Sequence, residues 1–192
     1  MHTQTAVPKQ NTHICSHKFA FMLDNFIRSW FQNPGKIVGD YIEPGNTVID
    51  LGCGPGFFSI EMAKMVAPSG RVIAVDMQPQ MLAKVERKAK QHGVSECVAC
   101  HQCEASRIGL DVKADFILAY YMLHETPDPR SYLLQVKELM KAEGLLLVVE
   151  PRMHVAEQAF QQSVHQAQEV GFKVADYPSD KGGRSVLLGL GS

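Results

Sequence analysis

This chain has no surplus of either charge: 19 Lys and Arg against 20 Asp and Glu leave a net charge of −1 at pH 7. A nucleic-acid binder normally advertises itself by a basic patch, so no nucleic-acid partner is expected. Long hydrophobic runs are missing too. The longest, Phe116–Leu123, falls far short of the ~20 apolar residues that span a bilayer, which excludes a membrane helix. Near the amino end Lys18 and Asp24 interrupt any apolar stretch of the signal-peptide kind, and a cytoplasmic location is expected. The five cysteines are odd in number and dispersed, against the disulfide framework of a small secreted domain. No internal repeat or low-complexity stretch is present. What remains is ordinary: 192 residues, 45% hydrophobic and 20% charged, enough for one globular domain with a substantial core, as a monomer or homodimer.

The informative stretch is Val48-Ile49-Asp50-Leu51-Gly52-Cys53-Gly54-Pro55-Gly56-Phe57. Thr47–Leu51 is β-branched and apolar and reads as a buried strand. Three glycines on alternate positions then let the backbone turn tightly and approach a bound molecule, and Phe57–Val66 has helical character. Strand, glycine loop and helix make a nucleotide-type site at the carboxyl edge of a parallel sheet. A second apolar strand, Arg71–Val75, ends in Asp76, one βαβ unit on, where a carboxylate suits the two hydroxyls of a ribose. Dinucleotide sites prefer G-x-G-x-x-G, because a pyrophosphate needs the amino end of the helix. Here the spacing is G-x-G-x-G, and Asp50 stands two residues before the first glycine. That carboxylate would repel a pyrophosphate and suit an ammonium.

With these residues in place the chain resembles the class I S-adenosylmethionine-dependent methyltransferases, in particular the small type 11 group related to quinone-biosynthesis enzymes. The resemblance runs from about Lys36 to Leu190 and is carried by Val48–Gly56, Val72–Met77, Ala114–Pro129 and Gly144–Pro151. It implies S-adenosylmethionine as cofactor and a small-molecule methyl acceptor. It also implies that Asp50 and the glycine loop hold the methionine part, that Asp76 holds the ribose, and that Met77 covers the adenine. The Asp that this family usually places near the end of strand three is replaced here by Cys103-Glu104-Ala105, with Glu104 as stand-in. The full cofactor set is then Asp50, Gly52, Cys53, Gly54, Gly56, Asp76, Met77, Glu104, Ala105 and Tyr120. Two other readings of the same residues stay open: an NAD(P)-dependent oxidoreductase, and a nucleotide-binding regulatory module without catalysis.

Along the chain, residues 1–17 are polar and without periodicity, an arm. Phe19, Met22, Leu23, Phe26, Ile27 and Trp30 follow the i, i+3, i+4 rule of an amphipathic helix. By the resemblance, arm and helix form a lid, giving an amino-terminal segment 1–35 and a cofactor domain 36–192. Strands are expected at 47–51, 71–75, 97–102, 115–120, 145–150, 172–177 and 185–190, and helices at 57–66, 79–91, 130–141 and 154–170. This alternation predicts a Rossmann-like, doubly wound α/β fold with a seven-stranded, mostly parallel sheet. The link Pro178–Gly183 is too short for a crossover helix, so the last strand is antiparallel.

Acceptor chemistry is expected at the carboxyl ends of strands four and five. Strand four runs into Tyr120-Tyr121-Met122-Leu123-His124-Glu125 and strand five into Glu150-Pro151-Arg152-Met153-His154. His124 is the candidate general base, since its ordinary pKa lies near working pH; the plainer reading makes it part of the pocket wall. Glu150 either orients a polar acceptor or pairs with a cation, or else is a solvated strand end. His154 faces the acceptor or caps the next helix. Tyr120 and Tyr121 should point to opposite faces, so at most one lines the pocket. In the arm, His13, Cys15 and His17 share a face if extended. His13 and Cys15 are assigned to the acceptor pocket with His124, Glu150 and His154, in preference to a metal site. Cys97, Cys100 and Cys103 have regular spacing, but strand alternation would turn Cys100 away from the other two, and buried small hydrophobes are the favoured reading.

Overall fold

The computed structural model describes residues 33–179 and 183–191. His13, Cys15, His17 and the expected lid helix lie outside them. Pro34 opens a short helix, α1 (Pro34–Val38), continued by a 3-10 turn at Gly39–Tyr41. Strands and helices then alternate: β1 (Thr47–Leu51), α2 (Phe57–Val66), β2 (Arg71–Asp76), α3 (Pro79–Gln91), β3 (Val98–Gln102), β4 (Ala114–Tyr120), α4 (Pro129–Leu139), β5 (Met140–Pro151), α5 (Glu157–Glu169), β6 (Phe172–Asp176) and β7 (Gly183–Leu190).

The seven strands form one sheet in the order β3-β2-β1-β4-β5-β7-β6. All pairings among β1 to β5 are parallel, and β7 runs antiparallel to both β5 and β6. The order reverses between β1 and β4, the place where open α/β sheets bind ligands. Both faces are covered, so the central strands are continuously apolar rather than alternating. Successive side chains feed two separate cores. Val48, Phe116, Leu118 and Leu147 pack with Phe58 and Met62 of α2. Ile49, Ile117, Ala119 and Leu146 pack with Leu133 of α4 and Phe160 of α5.

Several boundaries differ from the sequence reading. The helix expected to run to residue 141 stops at Leu139, and the strand expected from 145 begins at Met140. Met140 already pairs with Ala114, and the register then shifts before Phe116 meets Leu145. Gly144 sits in that irregularity: a Cβ there would lie 2.9 Å from the Ala114 carbonyl oxygen, so only glycine fits the crowded bulge. The next helix starts at Glu157 with Ala156 at its cap position, so His154 does not cap it. His154 lies in the exposed turn after β5, its N–H donating to the Pro151 carbonyl at 3.1 Å. The cysteines diverge. Cys97, in a 3-10 turn at Ser95–Cys97, joins the α2-side core, Cys100 packs towards Leu82 and Val85 of α3, and Cys103 leans on the α4-side core.

Candidate functional site

Four of the candidate residues line up along the carboxyl edge of adjacent strands: Asp76 ends β2, Asp50 stands one residue before the end of β1, Tyr120 ends β4, and Glu150 stands next to the end of β5. Between β1 and α2 the glycine loop takes three left-handed residues in five, Gly52 at φ 68°, Gly54 at 51° and Gly56 at 82°. At Gly52 the reason is space as well as φ. A Cβ there would come within 2.9 Å of Met122 Cβ, so the loop is tucked against the segment that follows β4. At Gly54 a Cβ would meet nothing within 4 Å. The loop therefore has one closed side and one open side, and Gly54 is on the open one.

Asp76 anchors that open side. Its Oδ2 accepts the Gly54 N–H at 2.9 Å, and its Oδ1 accepts the Gln78 N–H at 2.8 Å. A carboxylate offers about four lone-pair positions, so capacity for a further donor remains. Burial raises the Asp76 pKa, opposed by the N–H groups of Gln78, Gly54 and Met77. Next to it Met77 leaves 50% of its surface exposed, an apolar platform at the edge. Glu104 and Ala105 are both exposed; Glu104 exchanges backbone hydrogen bonds with Arg107 at 3.0 and 3.3 Å.

Asp50 is different. Only 2% of it is exposed, and its Oδ2 accepts a 2.5 Å hydrogen bond from the Ser59 hydroxyl in the first turn of α2. Burial pushes its pKa up to about 7, with the Asp76 charge adding to the rise and Ser59 opposing it. Cys53, buried beside it, donates its N–H to the Val75 carbonyl at 2.9 Å. Burial and the two carboxylates push its thiol up far enough to stay protonated.

On the other side, the chain leaving β4 makes a second cluster. Tyr120 and Tyr121 do not point apart. Tyr121 has φ 57°, a conformation costly for any residue with a Cβ. That reversal cancels the strand alternation and stacks the two rings, with centroids 4.2 Å apart. Tyr120 in turn rests on Phe58 at 4.5 Å. Three residues on, in a 3-10 turn at Leu123–Glu125, His124 reaches Glu150. The Glu150 Oε1 accepts the His124 N–H at 3.1 Å, and Oε2 pairs with His124 Nδ1. Glu150 is 1% exposed, so the reading of a solvated strand end is corrected: it is a buried carboxylate partnered by an imidazole. Burial alone would lower the His124 pKa; the Glu150 hydrogen bond and charge, with Glu125 behind them, outweigh it and raise the value.

Three features of the site escaped sequence reading: the Ser59 bond to Asp50, the contact that presses Gly52 on Met122, and the left-handed Tyr121. The first two depend on packing between segments. The third has no signal in composition, because tyrosine is a poor guess for a left-handed position. No helix among the described residues is long and apolar enough to cross a membrane.

A parallel sheet reversing at β1 and β4, with a glycine loop and two strand-end carboxylates there, is the architecture of a Rossmann-like nucleotide site. Comparison with known proteins narrows it. A family profile described as "Methyltransferase domain" matches residues 42–181, and the chain belongs to that family. Among solved structures, a SAM-dependent methyltransferase from Aquifex aeolicus superposes with a TM-score of 0.76 at 24% identity, over 89% of this chain and 96% of that one. Among curated proteins, the demethylmenaquinone methyltransferase of Lactobacillus johnsonii is 27% identical over 110 residues, 57% of this chain and 45% of that protein. The enzyme of the same name from Lactococcus lactis is 27% identical over 136 residues, 69% of this chain and 53% of that protein. The chain spans about half the length of the curated relatives it matches.

Proposed function

We propose that this protein transfers a methyl group from S-adenosylmethionine to a small-molecule acceptor. The observation that carries the reading is the open glycine loop lying against Met122, two residues before half-buried His124 and its buried partner Glu150. A cofactor site and a proton-handling pair then adjoin along one strand edge. The residues present suit this cofactor. The remaining acceptor capacity of Asp76 would go to the ribose hydroxyls, exposed Met77 would cover the adenine, and the space above Gly54 would admit the nucleoside. Asp50 gives the methionine ammonium a nearby counter-charge. Glu104 and Ala105 are exposed, and their proposed part is at the rim of the cofactor site.

Bound S-adenosylmethionine supplies an electrophilic methyl on a sulfonium. The chain's own work is to place the acceptor in line, keep water out and handle a proton. Glu150 holds His124 Nδ1 and fixes the ring; His124 is the candidate to hold or accept the acceptor's proton. The stacked Tyr120 and Tyr121 give the neighbouring wall a flat apolar surface. An acceptor of quinol type, flat with ionisable hydroxyls, agrees with such a wall and with the names of the curated relatives. His13, Cys15 and His154 remain proposed acceptor-side residues.

Calorimetry tests the cofactor. Binding of S-adenosylhomocysteine with no measurable affinity for NAD is the expected result; tighter binding of NAD would overturn the reading and favour the oxidoreductase alternative. A methyl-transfer screen over reduced naphthoquinones and simple phenols then tests catalysis. Cofactor binding without transfer to any acceptor, in the wild-type protein, would favour the regulatory module.

A further inference from the structure

Ser59 is fully buried in the first turn of α2; its hydroxyl donates to the Asp50 carboxylate at 2.5 Å and also lies within hydrogen-bonding reach of the Cys53 thiol. A buried carboxylate normally accepts several donors. Here two come from Ser59: its hydroxyl and its backbone N–H, on the helix that follows the glycine loop, reach back nine residues to the strand that precedes it. These bonds tie together the two ends of the loop on which the nucleotide site is built.

We propose that Ser59 is a positioning residue of the cofactor site: by holding the buried Asp50 carboxylate it keeps a negative charge beneath the loop for the cofactor's ammonium, and so couples cofactor binding to loss of the Asp50 proton. The proposal rests on the reading that the loop binds S-adenosylmethionine. The surroundings of Asp50 identify the titrating group. From β2 it faces Asp76; from the loop it faces Cys53, whose thiol stays protonated; from α2 it faces Ser59. Its register partners in β2 and β4 are apolar, Ala74 and Leu118. At 2% exposure the charge lies out of bulk water, so a cation a few ångströms away feels it with little screening. Burial, with the Asp76 charge behind it, raises the Asp50 pKa to about 7, so the neutral carboxyl competes with the charged form. A bound ammonium favours the charged form, and the proton must leave.

Calorimetry at pH 6, 7 and 8, in two buffers of different ionisation heat, tests this with two ligands. S-adenosylhomocysteine keeps its ammonium and carboxylate charged across this range. 5′-Methylthioadenosine has the same nucleoside and lacks both groups. For a group titrating near 7, S-adenosylhomocysteine affinity should rise about tenfold from pH 6 to pH 8, with close to one proton released at pH 6. 5′-Methylthioadenosine should show neither effect. A pH dependence shared by both ligands would assign the proton to Asp76 at the ribose and overturn the proposal.

Ser59→Ala should move the midpoint upward; the first unit of movement weakens S-adenosylhomocysteine binding at pH 7 by about fivefold, with 5′-methylthioadenosine unaffected. Ser59→Thr should restore the wild-type profile, and Asp50→Asn should abolish the pH dependence. If the alanine variant does not fold, Ser59→Cys, close in size and a far weaker donor, carries the same test. A folded Ser59→Ala protein with the wild-type profile would refute the role of Ser59. Tight but pH-independent S-adenosylhomocysteine binding by the wild type would refute this inference alone. No binding at any pH would refute the cofactor reading beneath it.

Discussion

Changing Glu150 to glutamine removes one charge and almost no volume, which makes it a clean probe of the buried pair. In the wild type the carboxylate is 1% exposed and receives both the backbone N–H and the Nδ1 side of His124. It outweighs the burial that would otherwise lower the His124 pKa. Glutamine can still accept the backbone N–H at 3.1 Å. It offers no charge, so burial regains the upper hand, opposed only by Glu125. The His124 pKa, above the ordinary 6.5 in the wild type, should fall to that value or below. The sign for stability follows. A histidine whose folded pKa exceeds its unfolded one contributes stability that is complete below about pH 6.5 and is lost as pH rises through the folded value. A charge-assisted hydrogen bond contributes roughly 1.5–3 kcal/mol. Glu150→Gln should therefore cost about that much at pH 6 and clearly less at pH 9. Urea unfolding followed by circular dichroism at the two pH values measures the difference, and NMR titration of the His124 Cε1 proton measures the pKa. An equal cost at both pH values, or a wild-type His124 titrating below 6.5, would refute the argument.

Further predictions concern the loop and the domain. Asp76→Ala should weaken S-adenosylhomocysteine binding at least tenfold in a folded protein, since a lost charge-assisted acceptor costs roughly 1.5–3 kcal/mol; an unchanged dissociation constant would remove Asp76 from the ribose site. Gly54→Ala and Gly52→Ala should separate binding from folding. At Gly54 a methyl meets open space, so the fold should lose only the roughly 1–2 kcal/mol of a left-handed alanine while ligand affinity collapses. At Gly52 the added clash with Met122 should lower the melting temperature further; equal melting temperatures would contradict the packing described. Finally, a fragment starting at Pro34, where the second of the chain's two units begins, should melt cooperatively and retain S-adenosylhomocysteine binding. A fragment that neither folds nor binds would place the domain boundary elsewhere.

Much of this was legible in one dimension. The apolar runs ending at Leu51, Val75 and Tyr120, each followed by a helical period, suffice for the parallel sheet, and the short Pro178–Gly183 link suffices for the antiparallel last strand. Local signals of that kind act over a few residues. The misreadings occur where distant segments decide. The bulge at Gly144 depends on the Ala114 carbonyl across the sheet. Tyr121 abandons strand alternation because the chain must turn there towards the His124 turn. For Glu150 the sequence leaves a solvated strand end open beside a functional role, since burial of a glutamate depends on a partner 26 residues earlier. Ser59 is one serine in an apolar helix, and nothing in its neighbourhood says that a strand-end carboxylate awaits it.

The placement of β7 between β5 and β6 sets an order of assembly. Among the described residues β6 has a single neighbour in the sheet, and that neighbour is β7, which follows it in the chain. β6 can pair with β7 as a hairpin, but until Gly183–Leu190 docks on β5 that hairpin stays off the sheet and β5 presents its own long edge unpaired. Two raw edges and the apolar face of α5 wait together on one late strand. This is the situation in which strand-to-strand aggregation competes with folding. Damage to β7 therefore removes two strands from the sheet for the loss of one, on the side away from the nucleotide loop.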